Sequence, residues 1–383
     1  MYLASLDAEK CFDSIWHDAL LYKLFDVIEL NYWLFICRWY KSSSATVRWN
    51  DQLSFTFPVQ RGMRQGSVLS PKLFNIFLDE LLHQLKDVPH GVRVFDVLYN
   101  SVVFADDVTV FSSTVVGLQE LIDTCFQYAQ KYRFNFGVRK SKCLVMGKPL
   151  LITKPTWKLG DVRLTTETEL EVLGITFSEK LTYQAHVNKR ATACRRRIFG
   201  LTSIGMSYPG LAAEVKAYLW NTVGAPMLMY GMDSIAVRAK DLGILKSTQG
   251  TIVKKSMGFG KRHHHTNLLR ALNIAPVPDL LTKNTVNLYH RLFSVDSPAR
   301  ALQCSALASY ILTGKTTKNT LLGRIVESGQ SPVNLILSPP KHSPPKSSQD
   351  GIVDSLRHLI IHDNYVKPYG NDHYLASLLL KAF

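Results

Sequence analysis

Val102-Val103-Phe104-Ala105-Asp106-Asp107-Val108-Thr109-Val110 sets two adjacent carboxylates between two apolar runs rich in β-branched residues. Runs of this kind read as buried strands, and the polar break between them reads as a hairpin tip carrying Asp106 and Asp107. Two carboxylates held there repel one another and lose hydration unless a cation neutralises them. A hard divalent ion bound by carboxylate oxygens is the natural counter-charge. An isolated Asp-Asp pair is more often a solvated turn, because Asp favours turns. The segments on either side decide between the two.

Upstream, Tyr2-Leu3-Ala4-Ser5-Leu6-Asp7 reads as a short strand ending in a third carboxylate, followed by Ala8-Glu9-Lys10-Cys11-Phe12-Asp13. Between the carboxylate sites lies Gln60-Arg61-Gly62-Met63-Arg64-Gln65-Gly66-Ser67-Val68-Leu69-Ser70-Pro71, a basic, glycine-bearing loop that closes on a helix start. Ser70 suits the N-cap and Pro71 the first helical position. Leu73, Phe77 and Leu81 then recur on one helical face.

An aspartate strand, a Gly-Arg-Gln-Gly loop entering a helix and an Asp-Asp hairpin, in that order, resemble motifs A, B and C of reverse transcriptases, most closely those of non-LTR retrotransposons. Phe104 stands where Tyr is the more frequent first residue of motif C. Downstream, Asn135-x4-Lys140-Ser141-Lys142 resembles motif D, and Leu173-Gly174-Ile175-Thr176-Phe177 resembles the motif E primer grip. The resemblance covers residues 1 to about 275 well and the remainder poorly. It implies an α+β polymerase palm, a split βαβ sheet with helices on one face, followed by a mainly helical thumb.

The resemblance also implies two-metal nucleotidyl transfer from deoxynucleoside triphosphates to a DNA primer on an RNA template. Two Mg²⁺ ions, or Mn²⁺ in their place, would sit about 3.5–4 Å apart. Asp7 and Asp106 are the leading ligands, and Asp107 is the third, placed behind them because adjacent strand residues point to opposite faces. Phe12 would lie beneath the sugar and exclude a ribose 2′-hydroxyl; read without the resemblance it is a core residue. Arg64, Gln65 and Gly66 would contact nucleotide and template, Gly66 by close backbone approach. Lys140, with Lys142 as competitor, would protonate the leaving pyrophosphate, and Leu173 and Gly174 would position the primer end.

The 383 residues carry a formal net charge of +15, which suits a polyanionic partner. From Leu181 to Arg270 fourteen basic residues face three acidic ones, so the excess is concentrated there. Val187, Ala191, Cys194, Ile198 and Leu201 form an apolar helical stripe, while Lys189, Arg190, Arg195, Arg196 and Arg197 occupy other faces as candidate nucleic-acid contacts. Helical periodicity continues from Val215 to about Asn284, punctuated at Gly224-Ala225-Pro226 and Gly258-Phe259-Gly260. His263-His264-His265 reads as structural or phosphate-facing, because three consecutive side chains on regular structure do not converge on one metal.

The expected organisation is a palm over 1–148, motif E strands over 149–180, a basic helical thumb over 181–327, a Ser/Pro-rich linker over 328–350 and a tail over 351–383 with one amphipathic stretch. Six scattered cysteines without a CxxC pair exclude a disulfide framework and a zinc module. No secretory leader or membrane span is legible, so the expected location is nuclear or cytoplasmic. Asp7 leaves no room for the fingers region that precedes motif A in the family. The chain therefore reads as an N-terminally truncated polymerase, expected to extend a primer very poorly or not at all on its own. Two other readings stand beside it: a non-catalytic nucleic-acid-binding remnant and an RNA-dependent RNA polymerase palm, the latter disfavoured by Phe12 and Phe104-Ala105.

The basic stretch yields a direct test. Neutralising Lys189, Arg190, Arg195, Arg196 and Arg197 together should weaken template–primer binding and flatten its salt dependence by roughly one unit of slope per lost phosphate contact. An unchanged slope in a salt titration would return them to the role of a solvated helix face.

Overall fold

Alternation along one strand explains the layering. In β1 (Tyr2–Asp7), Tyr2, Ala4 and Leu6 point to one side and Leu3, Ser5 and Asp7 to the other. A computed structural model of the chain describes residues 1–94, 97–147, 155–201, 210–260, 262–294, 298–316 and 320–337. The chain divides into two compact units, Met1–Thr182 and Tyr183–Phe383. The Ser/Pro-rich stretch from Ser338 and the tail 351–383, with its amphipathic stretch, lie outside the described residues.

In the first unit β1 leads into α1 (Cys11–Ser14), α2 (His17–Phe25) and α3 (Leu30–Lys41). Short strands β2 (Ser44–Ala45), β3 (Arg48–Trp49), β4 (Gln52–Leu53) and β5 (Phe57–Pro58) form two small ribbons before α4 (Ser70–Asp87). The hairpin β6 (Val92–Val94) and β7 (Val97–Tyr99) precedes β8 (Ser101–Phe104) and β9 (Asp107–Ser112). Then come α5 (Val115–Lys131), β10 (Lys142–Val145), the ribbon β11 (Lys158–Leu159) and β12 (Val162–Arg163), β13 (Thr165–Glu167), and the hairpin β14 (Glu169–Val172) and β15 (Ile175–Ser178). The main sheet has the order β13-β10-β1-β9-β8, with β1 central and antiparallel to both neighbours.

The two faces of that sheet are buried differently. Tyr2, Ala4, Leu6, Val108, Val110, Cys143 and Val145 join a core with Leu73, Phe77 and Leu81 of α4 and Leu118, Leu121, Ile122, Cys125 and Ala129 of α5. The α4 residues are the helical stripe read from the sequence, and burial of large apolar side chains contributes roughly 1.5–3 kcal/mol each. Thr114 caps α5, its hydroxyl accepting from the Gly117 N–H at 3.1 Å. On the other face Leu3 and Leu144 meet Leu170 and the half-buried Phe111, Val172 and Phe177, so the β14–β15 hairpin covers part of it.

A polar knot ties the helices beneath the sheet. Lys23 of α2 donates to Glu80 of α4 at 2.5 Å and to the Tyr128 hydroxyl at 2.9 Å, with Lys131 and the Tyr132 hydroxyl also on Glu80. Burial alone would raise the Glu80 carboxyl, but hydrogen bonds from Lys131, Lys23 and Tyr132 outweigh it and hold the group down to about 2. Burial lowers Lys23, partly offset by Glu80.

The second unit is helical: α6 (Gln184–Gly200), α7 (Ala213–Leu219), α8 (Ala225–Met229), α9 (Ala239–Ser256), α10 (His265–Ala271), α11 (Val277–Ser294), α12 (Pro298–Thr313), α13 (Leu321–Glu327) and α14 (Pro332–Leu337). The break expected at Gly224-Ala225-Pro226 does not occur. A π turn, Trp220–Gly224, joins α7 to α8, and the Ala225 N–H reaches back to the Trp220 carbonyl. The wider turn accommodates Pro226, which has no N–H to give to an α-helical ladder. The chain breaks after α8 instead. There the Arg324 guanidinium donates to the carbonyls of Met232, Asp233 and Ile235 at 3.4, 2.6 and 2.9 Å. His263 is exposed, bonds to Gly260 and sets its ring at a tilt against Phe259, while the half-buried His265 ring packs against Gly250.

The Glu80 knot predicts a pH-dependent contribution to stability. Because its folded value lies below the ordinary 4.5, the contribution is present above pH 4.5 and is lost as pH falls toward 2. Glu80→Gln leaves the buried Lys23 without its counter-charge and should cost roughly 2–3 kcal/mol near neutral pH. That is below the usual cost of breaking a buried pair because Glu80 itself is partly solvated. Urea unfolding at pH 7 and pH 3 should show the gap between variant and wild type narrowing in acid.

Candidate active site

The β1–β9 ladder brings together carboxylates a hundred residues apart. Leu6 pairs with Val108 and Asp7 with Asp107, so Asp7 and Asp107 lie directly opposite on the same face. Side chains so paired have Cβ atoms roughly 4.5–5.5 Å apart. The hairpin tip is Ala105-Asp106, with Ala105 at φ 51°, and Asp107 is already the first residue of β9. The expectation that both aspartates occupy the tip is thus corrected. Phe104 and Asp107 close the ladder, leaving two residues to make the turn.

Alternation, which had set Asp107 behind Asp106, gives Asp107 the same face as Asp7. Asp107 is more than a third exposed; partial burial raises its carboxyl, and the charges of Asp106 and Asp7 raise it further. Asp106 stands against the thiol of Cys11. Burial pushes that thiol up to about 12, with the negative charge of Asp106 adding to the shift.

The segment resembling motif D wraps around Asp7. The Gly137 N–H donates to the Asp7 carbonyl at 2.8 Å, and the Asp7 N–H donates to the buried Ser141 hydroxyl at 3.2 Å. Lys140 Nζ donates to Asp7 Oδ2 at 3.1 Å and Oδ1 at 3.4 Å. That hydrogen bond and the Asp7 charge raise the Lys140 ammonium. Lys142, the competing lysine, is instead paired with Glu167 at 2.9 Å. The two lysines are thus separated by partner.

The basic loop is stitched to the segment after β1. Gly62 N–H donates to the Ile15 carbonyl at 2.8 Å, Met63 N–H to Phe12 at 2.6 Å, and His17 Nε2 lies 2.7 Å from the Gly62 carbonyl. Gly62 has φ +90°, and a Cβ there would stand 2.8 Å from the Asp13 carbonyl, so the close backbone approach falls at Gly62. Gly66 also has positive φ, but open space surrounds it. Gln65 donates to Asp13 at 3.0 Å, and Arg64 is exposed. Ser70 is not the N-cap of α4: Leu69 is, and the Ser70 hydroxyl donates back to the Arg64 carbonyl at 2.7 Å, tying the loop down. Phe12 is half-buried and stacks on Phe74 with centroids 4.8 Å apart.

Leu173 and Gly174 form the two-residue turn of the β14–β15 hairpin, with φ 49° and 75°. In the helical unit Arg190 donates to the Met227 carbonyl and lies over the Tyr230 ring, and Arg195 donates to Thr248. Both therefore tie α6 to its neighbours. Lys189, Arg196 and Arg197 are exposed.

Sequence reasoning missed Gly62, His17, Cys11 and Ser141 as parts of the site. Ser141 and Cys11 lay inside quoted motifs, yet their partners are separated from them in sequence and no local pattern names them.

Among the described residues no set of three His, Cys, Asp or Glu side chains forms a ready metal cage. The donor chemistry nevertheless fits a divalent cation: Asp7 and Asp107 share a face, and partial burial together with the charges of Asp106 and Asp7 raises Asp107. No helix among the described residues is long and apolar enough to cross a membrane.

Asp7 and Asp107 stand opposed across β1 and β9, within the part of the chain for which the sequence comparison finds a family. Residues 1–177 match the family described as reverse transcriptase (RNA-dependent DNA polymerase), and the chain is similar to polymerases of non-LTR mobile elements. The chain is similar to the RNA-directed DNA polymerase from mobile element jockey of Drosophila melanogaster, 25% identical over 80% of this chain and 34% of the relative. It is also similar to the probable RNA-directed DNA polymerase from transposon BS of the same species, 23% identical over 75% of this chain and 32% of the relative. Similarity extends to the Pol polyprotein from type-2 retrotransposable element R2DM, 29% identical over 38% of this chain and 14% of the relative. The chain spans about a third of the length of the jockey polymerase. Among solved structures, telomerase from Candida albicans in complex with a TWJ fragment of telomeric RNA aligns with a TM-score of 0.36 at 12% identity, covering 79% of this chain and 50% of that one.

The crowding at Asp107 has a measurable consequence. Asp107→Asn removes a charge opposed by Asp7 and Asp106, so it should raise the melting temperature in EDTA by about 1–2 °C. A fall in melting temperature would show that the Asp107 charge stabilises the metal-free fold.

Proposed function

We propose that this chain contributes RNA-directed DNA synthesis, with Asp7, Asp106 and Asp107 as metal ligands and Mg²⁺ as the metal. The observation that carries the proposal is the register Asp7↔Asp107 beside Asp106, with the Lys140 ammonium on the same carboxylate cluster. When bound, the divalent ions supply charge neutralisation and lower the pKa of the primer hydroxyl. Phe12, held by its stack on Phe74, presents a ring that favours a sugar without a 2′-hydroxyl. Arg64, Gln65 and the loop at Gly66 face the nucleotide and template, oriented by the hydrogen bonds that fasten this loop to Asp13 and Ser70. Lys140 is the candidate proton donor to the leaving pyrophosphate, since Lys142 is paired with Glu167.

The β14–β15 turn at Leu173-Gly174 would meet the primer end. Lys189, Arg196 and Arg197 on α6 would hold backbone phosphates of an RNA–DNA duplex, with Arg190 and Arg195 keeping that helix in place.

RNA-templated incorporation of deoxynucleotides, followed in single turnover with protein in excess, tests this reading. Asp7→Asn and Asp107→Asn should each lower the Mg²⁺-dependent rate by about a hundredfold or more while template–primer binding persists. Phe12→Val should raise ribonucleotide use relative to deoxynucleotide use. Incorporation that survives both aspartate substitutions would sink the assignment. A wild-type chain that binds template–primer tightly and incorporates nothing would favour a nucleic-acid-binding role instead.

A further inference from the structure

We infer that Lys140 is a placeholder for the metal: its ammonium neutralises Asp7 in the metal-free site and must leave Asp7 for a divalent cation to bind. The inference rests on Asp7 being a metal ligand, as proposed above. Lys140 Nζ reaches both oxygens of Asp7, at 3.1 and 3.4 Å, and so occupies the lone pairs that a cation would use. Asp106 and Glu9 add to the negative field around it.

Three features make the exchange inexpensive. First, the backbone of Asp7 is held independently of the lysine side chain, by the Gly137 N–H and the Ser141 hydroxyl. The ammonium can therefore swing away without loosening the strand end. Second, the Lys140 side chain is 71% exposed and Asp7 29%, so the pair is a solvent-facing one of small net stability. The Lys23–Glu80 pair on the opposite side of the sheet shows the contrast. There the lysine side chain is 7% exposed and Glu80 has two further donors, so that pair is fixed. Third, Lys142 is held by Glu167 on the neighbouring strand β13, so another cation already neutralises that acid while Lys140 is spent on Asp7.

Release of Lys140 has a consequence for the second substrate. Once displaced from Asp7, the ammonium is free for the negative charge of a triphosphate. Metal and triphosphate then favour one another through this single side chain, and by reciprocity each raises the affinity of the other.

Mn²⁺ binding measured by electron paramagnetic resonance at fixed ionic strength, without nucleotide, separates this from a supporting role. Lys140→Met should bind Mn²⁺ about two- to fivefold more tightly than wild type, the range expected for loss of one solvent-facing ion pair. Lys140→Arg, which keeps the charge, should stay near wild type. In the wild-type chain, Mn²⁺ should also speed acylation of Lys140 as followed by mass spectrometry. Unchanged or weaker Mn²⁺ binding by Lys140→Met, or Lys140 acylation indifferent to Mn²⁺, would overturn the placeholder. Asp7→Asn is the separate control: if it binds Mn²⁺ as wild type does, the metal-site reading itself fails.

Discussion

Two aspartates opposed at the end of an antiparallel ladder are the constraint on which the first unit turns. Like charges directly opposite one another destabilise a strand pair. Here the rest of the ladder offsets that cost, because Leu6↔Val108 and Ala4↔Val110 face a helical core while Asp7 and Asp107 face the other side. The apolar face fixes the register, and the register fixes the carboxylates. A slip of one residue would send Asp107 to the helix side, where α4 and α5 leave no water to solvate it.

The surrounding loops are fastened through backbone atoms more than through side chains. Gly62 and Met63 bond to Ile15 and Phe12, and Gly137 bonds to Asp7, so the three motif segments are held before any substrate arrives. Such preorganisation is what nucleotidyl transfer asks of a protein, because alignment and charge placement supply most of the rate. Two lysine–carboxylate pairs on this scaffold differ in burial and in the number of further donors that hold the carboxylate. Lys23–Glu80, shielded among aromatic rings, acts as a rivet between helices, whereas Lys140–Asp7, open to water, remains exchangeable.

The helical unit divides its basic residues in a similar way. Arg190 and Arg195 are absorbed into contacts with α8, Tyr230 and α9, and the half-buried Arg324 satisfies three carbonyls of the loop after α8. Net positive charge in a helix is therefore a poor count of phosphate contacts. The π turn at Trp220–Gly224 makes a related point: a proline that signals a break is carried through when the ladder can widen by one residue.

The sequence by itself determined the existence of β1, of the β8–β9 hairpin and of the apolar stripes of α4 and α6, because period and β-branching are local properties that burial then rewards. It also singled out Asp7, Asp106 and Asp107 as candidates, through the order of the three motif segments rather than through the Asp-Asp pair alone. Tertiary structure alone decided which aspartate opposes Asp7, which of two nearby lysines reaches it, and that Gly62 rather than Gly66 meets another backbone closely. It also moved the cap of α4 from Ser70 to Leu69, because the carbonyl of Arg64 offered that hydroxyl a better partner than the helix did. Each of those outcomes depends on strand register or on a partner brought close by folding, and neither is written in the spacing of residues along the chain.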